Sequence, residues 1–217
     1  MKIALIGGTG DMGMGFAVRW ATNHEIIIGS RKLAKAEESA SQVRQATDCG
    51  KVWGTDNAEA IKAGDIVVLS VPFEHLVSVT SDLKNSYTHQ VVVSPVVPMG
   101  YDGKYFEFAP PIEGSAARQA LAFLPEGMKI VSAFHTVSAA ALKDLRKELK
   151  GDVLICGDDK ESKDVVISLA KEIKSLQPVD AGPLIISGQI ESLTPMLLNV
   201  ARRNKLKEAG IKIIEER

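Results

Sequence analysis

Ile3-Ala-Leu-Ile-Gly-Gly-Thr-Gly-Asp-Met-Gly13 is a short apolar run that leads directly into Gly8, Gly10 and Gly13. This spacing is typical of a turn that cradles a dinucleotide pyrophosphate, because glycines let the backbone turn sharply and approach the phosphates closely. A helix that starts there points its positive N-terminus at the negative charge. The alternative is a tight strand-to-helix turn that needs glycine only for its backbone angles.

The flanking residues favour the dinucleotide interpretation. A strand is predicted at 2–6, and Met12, Phe16 and Trp20 recur at four-residue spacing, as on one face of a helix. The glycines therefore lie between a strand and a helix, which is the context that a nucleotide-binding turn requires.

Size and composition indicate a soluble globular chain. Its 217 residues suit one large α/β domain, or one domain with a small appendage, and a net charge of −1 gives no basic footprint for nucleic acid. The sequence enters a strand within two residues of Met1, and we identify no apolar run that reaches about 18 residues. We expect a cytoplasmic protein that binds neither nucleic acid nor membrane.

Cysteine and histidine usage gives no sign of a metal site. Cys49 and Cys156 are far apart and outside any CxxC pattern, so we expect two reduced structural thiols. The histidines at 24, 75, 89 and 135 are too scattered to suggest ligands.

Apolar, β-branched runs alternate with helical stretches, which predicts an α/β fold with a Rossmann-like, mostly parallel sheet and helices on both faces. Strands are predicted at 2–6, 25–29, 51–54, 65–71, 90–94, 129–134, 152–156 and 177–181. Helices are predicted at 11–22, 32–46, 56–62, 74–84, 115–123, 138–149, 160–175 and 189–207.

Two stretches depart from this alternation. The proline- and glycine-containing segment 96–114 predicts a long ordered loop near the strand ends. After residue 182 one apolar helix dominates, so we predict a nucleotide-binding, Rossmann-like main domain at 1–182 and a small helical segment at 183–217. That helix is too apolar to stand alone and should contact a partner subunit or the cofactor cleft.

The end of the second strand distinguishes NADP from NAD. NAD-binding units usually carry a carboxylate there, whereas this chain has Ser30 and Arg31, with Lys35 one helical turn further on. A hydroxyl and two cations would hold a 2′-phosphate through charge-assisted bonds. The other interpretation is that Ser30 caps a helix and both cations are solvated.

Polar residues follow three predicted strands, at 72–75, 94–98 and 135–138. Ligands of open α/β sheets lie outside the carboxyl ends of the strands, so these segments should converge on the nicotinamide. Their surroundings are apolar with few titratable groups, which suits direct hydride transfer between two stacked rings. Among these residues, His135 is the candidate for a functional side chain: it is either a ligand contact or a structural histidine. The spacing of the run Asp158-Asp159-Lys160-Glu161 fits a helix capping box better than paired catalytic carboxylates.

Several blocks along nearly the whole chain resemble the NADPH-dependent reductases of the deazaflavin coenzyme F-420. Besides the glycine turn, they are Gly29-Ser30-Arg31, Ser94-Pro95-Val96-Val97-Pro98, Ser132-Ala133-Phe134-His135-Thr136, Val153-Leu-Ile-Cys-Gly-Asp-Asp159, Pro178-Val-Asp-Ala-Gly-Pro183 and Glu191-Ser-Leu-Thr-Pro195. Several of these blocks lie outside the general signature of the nucleotide fold, which makes the resemblance more specific than the glycine turn.

The resemblance implies reversible hydride transfer between reduced F-420 and NADP in a homodimer. It implies that the pyrophosphate is lined by Thr9, Gly10, Asp11 and Met12 and the 2′-phosphate by Ser30, Arg31 and Lys35. It further implies a nicotinamide wall of Val71, Phe73, Val97 and Ala139, and deazaflavin contacts from His135, Val137, Ser192 and Leu193.

Three features depart from the resemblance. Asp11 replaces a common Asn, which leaves backbone N–H donation as the expected phosphate contact. The loop 99–114 matches no family block; it could cover the cleft or alter the second substrate. The cations Arg202, Arg203, Lys205 and Lys207 could meet the anionic tail of F-420, or form a solvated helix face.

Two other functions remain open from the sequence. One is an NADPH-dependent reductase of a flavin or a small imine or carbonyl substrate. The other is a non-catalytic NADP(H)-binding sensor of redox state.

Overall fold

The structure is a computed structural model that describes residues 1–214; the last three residues of the expected C-terminal segment, 215–217, lie outside the described residues. Its strands are β1 (Lys2–Ile6), β2 (Glu25–Ser30), β3 (Val52–Asp56), β4 (Ile66–Leu69), β5 (Val91–Ser94), β6 (Met99–Tyr101), β7 (Phe106–Phe108), β8 (Lys129–Ser132), β9 (Gly151–Cys156) and β10 (Leu176–Gly182). Its α-helices are α1 (Asp11–Trp20), α2 (Leu33–Thr47), α3 (Asn57–Ala63), α4 (Leu76–Ser81), α5 (Ala116–Phe123), α6 (Ala139–Lys143), α7 (Lys160–Glu172), α8 (Ser187–Glu191) and α9 (Leu193–Arg203).

Eight strands form one sheet in the order β10-β9-β8-β5-β4-β1-β2-β3. The run from β3 to β8 is parallel, whereas β9 is antiparallel to β8 and β10 is parallel to β9. The predicted Rossmann-like, mostly parallel sheet is therefore confirmed. Because β9 and β10 run the other way, their amino ends lie at the edge of the sheet where the other six strands have their carboxyl ends.

Helices cover both faces, as the alternation within β1 shows. Ile3 and Leu5 belong to one hydrophobic cluster, with buried residues of α1, α2, α6 and α7. Ala4 and Ile6 belong to a second cluster, with buried residues of α3, α4 and α5. Since successive strand residues point to opposite faces, the two clusters are the two sides of the sheet.

The helix face predicted after the glycine turn is buried. Phe16 and Trp20 stack at 4.6 Å between ring centroids, and Phe134 meets both rings edge-on at 5.1 and 5.8 Å. The Trp20 indole N–H donates to the carbonyl of Leu169 at 3.0 Å. This aromatic cluster fixes α1 against the sheet and against α7.

The helix predicted at 138–149 is shorter than expected, because α6 ends at Lys143. Arg19 of α1 donates to the carbonyls of Ala141 at 3.0 Å, Leu142 at 2.8 Å and Asp144 at 2.6 Å. These carbonyls lie at the end of the helix and just beyond it, so the guanidinium satisfies them in place of a further helical turn.

The predicted loop 96–114 contains a hairpin that the sequence pattern did not reveal. Its strands β6 and β7 are antiparallel, with Met99 opposite Phe108 and Tyr101 opposite Phe106. The Asp102 carboxylate closes the turn by accepting from the backbone N–H groups of residues 104 and 105 at 2.7 and 2.6 Å. Three-residue strands among prolines carry too little alternation to be predicted.

The single C-terminal helix predicted at 189–207 is divided into α8 and α9. Glu191 at the division is fully buried, and its carboxylate accepts from the N–H groups of Ala116 and Ala117 at 2.7 and 3.1 Å. Burial raises the pKa of Glu191 to about 7, against the two backbone hydrogen bonds. This carboxylate holds the C-terminal helices to the start of α5.

The stretch Leu184–Arg203 is long and apolar enough, by length and composition, to cross a membrane. It includes the buried carboxylate of Glu191 and the division between α8 and α9. Neither feature suits a continuous membrane-spanning helix.

Two further expectations concern single side chains. The run 158–161 contains a helix cap, as predicted: Asp159 is the N-cap of α7 and accepts from the Ser162 N–H at 2.9 Å. Hydrogen bonds from Ser162 lower the pKa of Asp159 to about 2. Cys49 and Cys156 are free thiols, and burial raises the pKa of Cys156 to about 12. Cys156 is therefore a protonated, unreactive thiol at neutral pH.

Candidate active site

A cleft of about 680 Å³ lies outside the carboxyl ends of β1, β4, β5 and β8. The three strand-end segments predicted to converge do meet there. Residues 72–74 follow β4, 95–97 follow β5, 135–138 follow β8, and all of them line the cleft. The start of α1 and one face of α9 complete the walls, so the cleft has the size and position of a ligand site in an open α/β sheet.

Two glycines of the turn are required by packing. A Cβ on Gly8 would lie 2.6 Å from the carbonyl oxygen of Leu5, and a Cβ on Gly13 would lie 2.5 Å from the Cα of Gly8. Both clashes are with backbone that cannot move without displacing β1 or α1. The absence of a side chain at Gly8 and Gly13 therefore allows β1, the turn and α1 to pack closely together.

Gly10 is different, because neither packing nor conformation requires it. It is the N-cap of α1 with φ −83°, which any residue adopts, and the nearest atom to a Cβ there would be the carbonyl oxygen of Gly7 at 3.7 Å. The absent side chain leaves open the space beside the first N–H groups of α1. That space suits a close backbone approach to a pyrophosphate, so the turn fits a dinucleotide.

The predicted 2′-phosphate residues lie beside this turn. The Gly8 N–H donates to the carbonyl of Gly29 at 3.1 Å, which joins the turn to the end of β2. Ser30 is buried and accepts from the Lys32 N–H at 3.2 Å, but α2 begins at Leu33 with Lys32 as N-cap, so Ser30 is not the helix cap.

Arg31 and Lys35 are exposed next to Ser30. Within residues 1–214 neither side chain makes an ion pair or a hydrogen bond. Both cations are therefore available to an anion at the end of β2.

The predicted nicotinamide wall comes together as one surface. Val71, Phe73, Val97 and Ala139 all line the cleft, together with Asp11 and Met12 from the start of α1. The remaining predicted nucleotide residues do not line the cleft. They lie in the turn and the first turn of α1 (Gly8, Thr9, Gly13), and at the end of β2 and the start of α2 (Ser30, Arg31, Lys35).

His135 is presented to the cleft by a strained backbone. The preceding residue, Phe134, has a φ of +70°, which is unusual for a bulky side chain, and it lies two residues after the end of β8. His135 is 4% exposed, with Nε2 3.2 Å from the Ser132 hydroxyl. Burial lowers the pKa of His135 to about 4, although the Ser94 carbonyl opposes the shift. The imidazole is neutral at physiological pH and is a hydrogen-bonding group, not a cationic acid.

The predicted deazaflavin residues are only partly gathered in the cleft. His135 and Val137 line it, whereas Ser192 and Leu193 lie beside its lining at the start of α9, and the Ser192 hydroxyl donates to the Gln189 carbonyl at 2.7 Å. Their neighbour Thr194 lines the cleft.

Thr194 begins a cleft-facing stripe of α9 that sequence reasoning missed. The stripe consists of Thr194, Leu197, Leu198 and Ala201. Their spacing of three, four and seven residues is that of a helix face, and this periodicity was the signal that could have found them.

The hairpin is attached to α9 and contributes Met99 to the cleft. Asn199 accepts from the Phe106 N–H at 2.9 Å and donates to the Phe106 carbonyl at 2.7 Å. Arg202 donates to the Tyr101 hydroxyl and lies 5.3 Å from the centre of its ring. Of the predicted basic cluster, Lys207 alone lines the cleft.

Comparison with known proteins agrees with this geometry. Residues 2–98 match the family model described as NADP oxidoreductase, coenzyme F-420-dependent. The F-420-dependent NADP reductase of Methanocaldococcus jannaschii is 41% identical, covering 98% of this chain and 98% of that protein. The enzyme of the same name from Methanothermobacter thermautotrophicus is 36% identical, covering 98% of this chain and 94% of that protein.

A solved protein from Arthrobacter sp. FB24 shares the fold, with a TM-score of 0.83. The comparison covers 99% of this chain and 100% of that one, at 22% identity. The near-complete alignment with the two archaeal reductases is the stronger finding. It shows that this chain belongs to the family of F-420-dependent NADP reductases.

Proposed function

We propose that this protein is an NADP-dependent oxidoreductase that passes a hydride directly between coenzyme F-420 and NADP, in either direction. The observation that carries the proposal is one cleft with two kinds of wall. The cleft is lined by the start of α1 after the glycine turn and by Val71, Phe73 and Val97, which we assign to one wall, and by His135, Val137 and the stripe of α9, which we assign to the other. When both are bound, the nicotinamide supplies or accepts the hydride and the deazaflavin is its counterpart.

The residues proposed to bind NADP form three groups, one for each part of the nucleotide. Thr9, Gly10 and the first N–H groups of α1 would hold the pyrophosphate. Ser30, Arg31 and Lys35 would hold the 2′-phosphate, which a carboxylate at the end of β2 would repel. Val71, Phe73, Val97 and Ala139 would pack beside the nicotinamide.

The proposed role of the second wall is orientation without proton transfer. Hydride transfer itself needs no acid or base in the cleft: the deazaflavin takes its accompanying proton from solvent on reduction and returns it on oxidation, and His135 is buried and neutral. His135 and Val137 would position the deazaflavin, with Ser192 and Leu193 close to it at the start of α9. Close approach and exclusion of water then supply most of the rate enhancement.

The proposed assembly is a homodimer in the cytoplasm, with small-molecule cofactors as its partners. Opposite its cleft stripe, α9 exposes Met196 and Val200, which are 49% and 42% exposed, and Ile185 nearby is 62% exposed. An apolar surface of this kind suits a partner subunit. The proposed division is a main domain at 1–182 and a C-terminal helical segment at 183–217 that supplies both this surface and part of the cleft.

The test is to mix the protein with NADPH and oxidised F-420 and to follow the visible absorbance of the deazaflavin. Loss of that absorbance at a rate proportional to enzyme supports the proposal. Turnover with FMN and none with F-420 would instead indicate a flavin reductase. Tight NADPH binding without hydride transfer to either acceptor would indicate a redox sensor.

A further inference from the structure

Asp11 places a carboxylate at the N-terminus of α1, where the proposed function requires the anionic pyrophosphate of NADP to bind. It is the first residue of α1, it lines the cleft, and its side chain is 78% exposed. A carboxylate there is favourable for the helix alone, because it interacts with the positive N-terminus. Beside a bound pyrophosphate the same charge is repulsive.

Lys143 forms an ion pair with the Asp11 carboxylate. Its Nζ lies 2.8 Å from Asp11 Oδ1, and within residues 1–214 this is the one ion pair that either side chain makes. Lys143 is the last residue of α6, far from Asp11 in sequence. The pair therefore depends on how α6 is placed over the start of α1.

The packing of α6 on α1 fixes that placement. Gly15 of α1 allows the close contact, since a Cβ there would lie 2.6 Å from the Cβ of Leu142. Arg19, one turn further along α1, donates to the carbonyls of Ala141 and Leu142. These contacts fix the position of Ala141 and Leu142, the two residues before Lys143. The packing of α6 on α1 therefore places the Lys143 ammonium beside the first turn of α1.

We infer that Lys143 is a positioning residue for NADP that acts through Asp11: it neutralises the carboxylate, so that the N-terminus of α1 can accept the pyrophosphate. The inference rests on the proposed function. Without the ammonium, one uncompensated negative charge lies on the first residue of the helix whose N-terminus would receive two phosphate charges. Repulsion of that size near a solvated surface weakens binding by roughly tenfold.

The test is direct titration of NADPH binding by fluorescence, with no second substrate present. Lys143→Met should bind NADPH roughly tenfold more weakly than the wild type, and the difference should shrink at high salt. Asp11→Asn should remove the need for the lysine, so that the double variant Asp11→Asn, Lys143→Met binds within about twofold of Asp11→Asn alone. Lys143→Arg, which keeps the charge, should bind like the wild type.

Matched controls separate this role from a structural one. Lys160→Met removes the lysine of another exposed ion pair, with Asp164 at 2.7 Å on α7, and should leave NADPH affinity unchanged. Melting temperatures show whether each variant is folded, and Lys143→Gln serves as a second variant if Lys143→Met is not.

Three results would be adverse, and they differ in what they overturn. Unchanged affinity in Lys143→Met, with a wild type that binds NADPH, overturns this inference alone. A double variant as weak as Lys143→Met also overturns it, because the lysine would then act without Asp11. A wild type that does not bind NADPH overturns the proposed function, and this inference with it.

Discussion

The Thr194 hydroxyl donates to the main-chain carbonyl of His135 at 2.9 Å. This bond joins the first turn of α9 to the residue that follows the strained backbone of Phe134. The hydrogen bond fixes the position of α9 relative to the segment after β8, and both line the cleft. The second wall of the cleft consequently depends on α9 as much as on the sheet.

Replacing Thr194 with Val should disturb the second substrate and spare the first. The isosteric change removes one hydrogen bond, worth about 1 kcal/mol, and leaves the His135 carbonyl without its partner. We expect KM for F-420 to rise severalfold while the dissociation constant of NADPH changes little. Thr47→Val, which removes a comparable bond to the Val43 carbonyl within α2, is the control and should change neither value. Loss of NADPH affinity in Thr194→Val would refute the assignment of this wall.

Gly10 and Gly8 should respond in opposite ways to a single added methyl group. Gly10→Ala should keep the melting temperature of the wild type but bind NADPH at least tenfold more weakly, because the methyl group occupies the space beside α1. Gly8→Ala should lower the free energy of unfolding by roughly 1–3 kcal/mol, because its Cβ meets the backbone of Leu5. Thermal unfolding and NADPH titration of both variants check this; undiminished binding by Gly10→Ala would contradict the pyrophosphate assignment.

Arg31→Ala should discriminate between the two nicotinamide nucleotides. Loss of a charge-assisted contact to the 2′-phosphate should weaken NADPH binding by roughly 1–3 kcal/mol and NADH binding hardly at all. Isothermal titration with each nucleotide measures the difference. Lys84→Ala, an exposed cation elsewhere on the surface, serves as the control. Equal weakening of NADPH and NADH would show that Arg31 does not read the 2′-phosphate.

His135 should make the fold sensitive to acid. Its pKa of about 4 in the folded state lies below the ordinary value of 6.5, so the unfolded chain binds the proton more tightly. The corresponding stability is fully present above pH 6.5 and is lost as the pH falls towards 4. Between pH 7.5 and pH 5 the loss should be about 2 kcal/mol.

Urea unfolding of the wild type and of His135→Asn at both pH values isolates this contribution. The free energy of unfolding of the wild type should fall more steeply than that of the variant. Parallel behaviour of the two proteins would mean that the buried imidazole is not the source of acid sensitivity.

Most of the sheet could be predicted from the sequence because its strands are continuous apolar runs. The turn after β1 could be predicted from its glycines, of which Gly8 and Gly13 are required by packing and Gly10 is not. The sequence also predicted the convergence of 72–75, 94–98 and 135–138, since that follows from the direction of parallel strands. It could not predict where α6 ends, because that depends on Arg19, more than a hundred residues earlier in the chain. The buried carboxylate of Glu191 and the hydroxyl of Thr194 were missed for the same reason: their partners are distant in sequence.

The most direct test of a shared cleft is to follow the hydride itself. NADPH carrying deuterium at both hydrogens of its nicotinamide C4 is mixed in ordinary water with the protein and oxidised F-420, and the reduced deazaflavin is examined by mass spectrometry. Direct transfer within one cleft predicts one deuterium in each reduced deazaflavin. Reduced deazaflavin that contains only hydrogen from the solvent would contradict it.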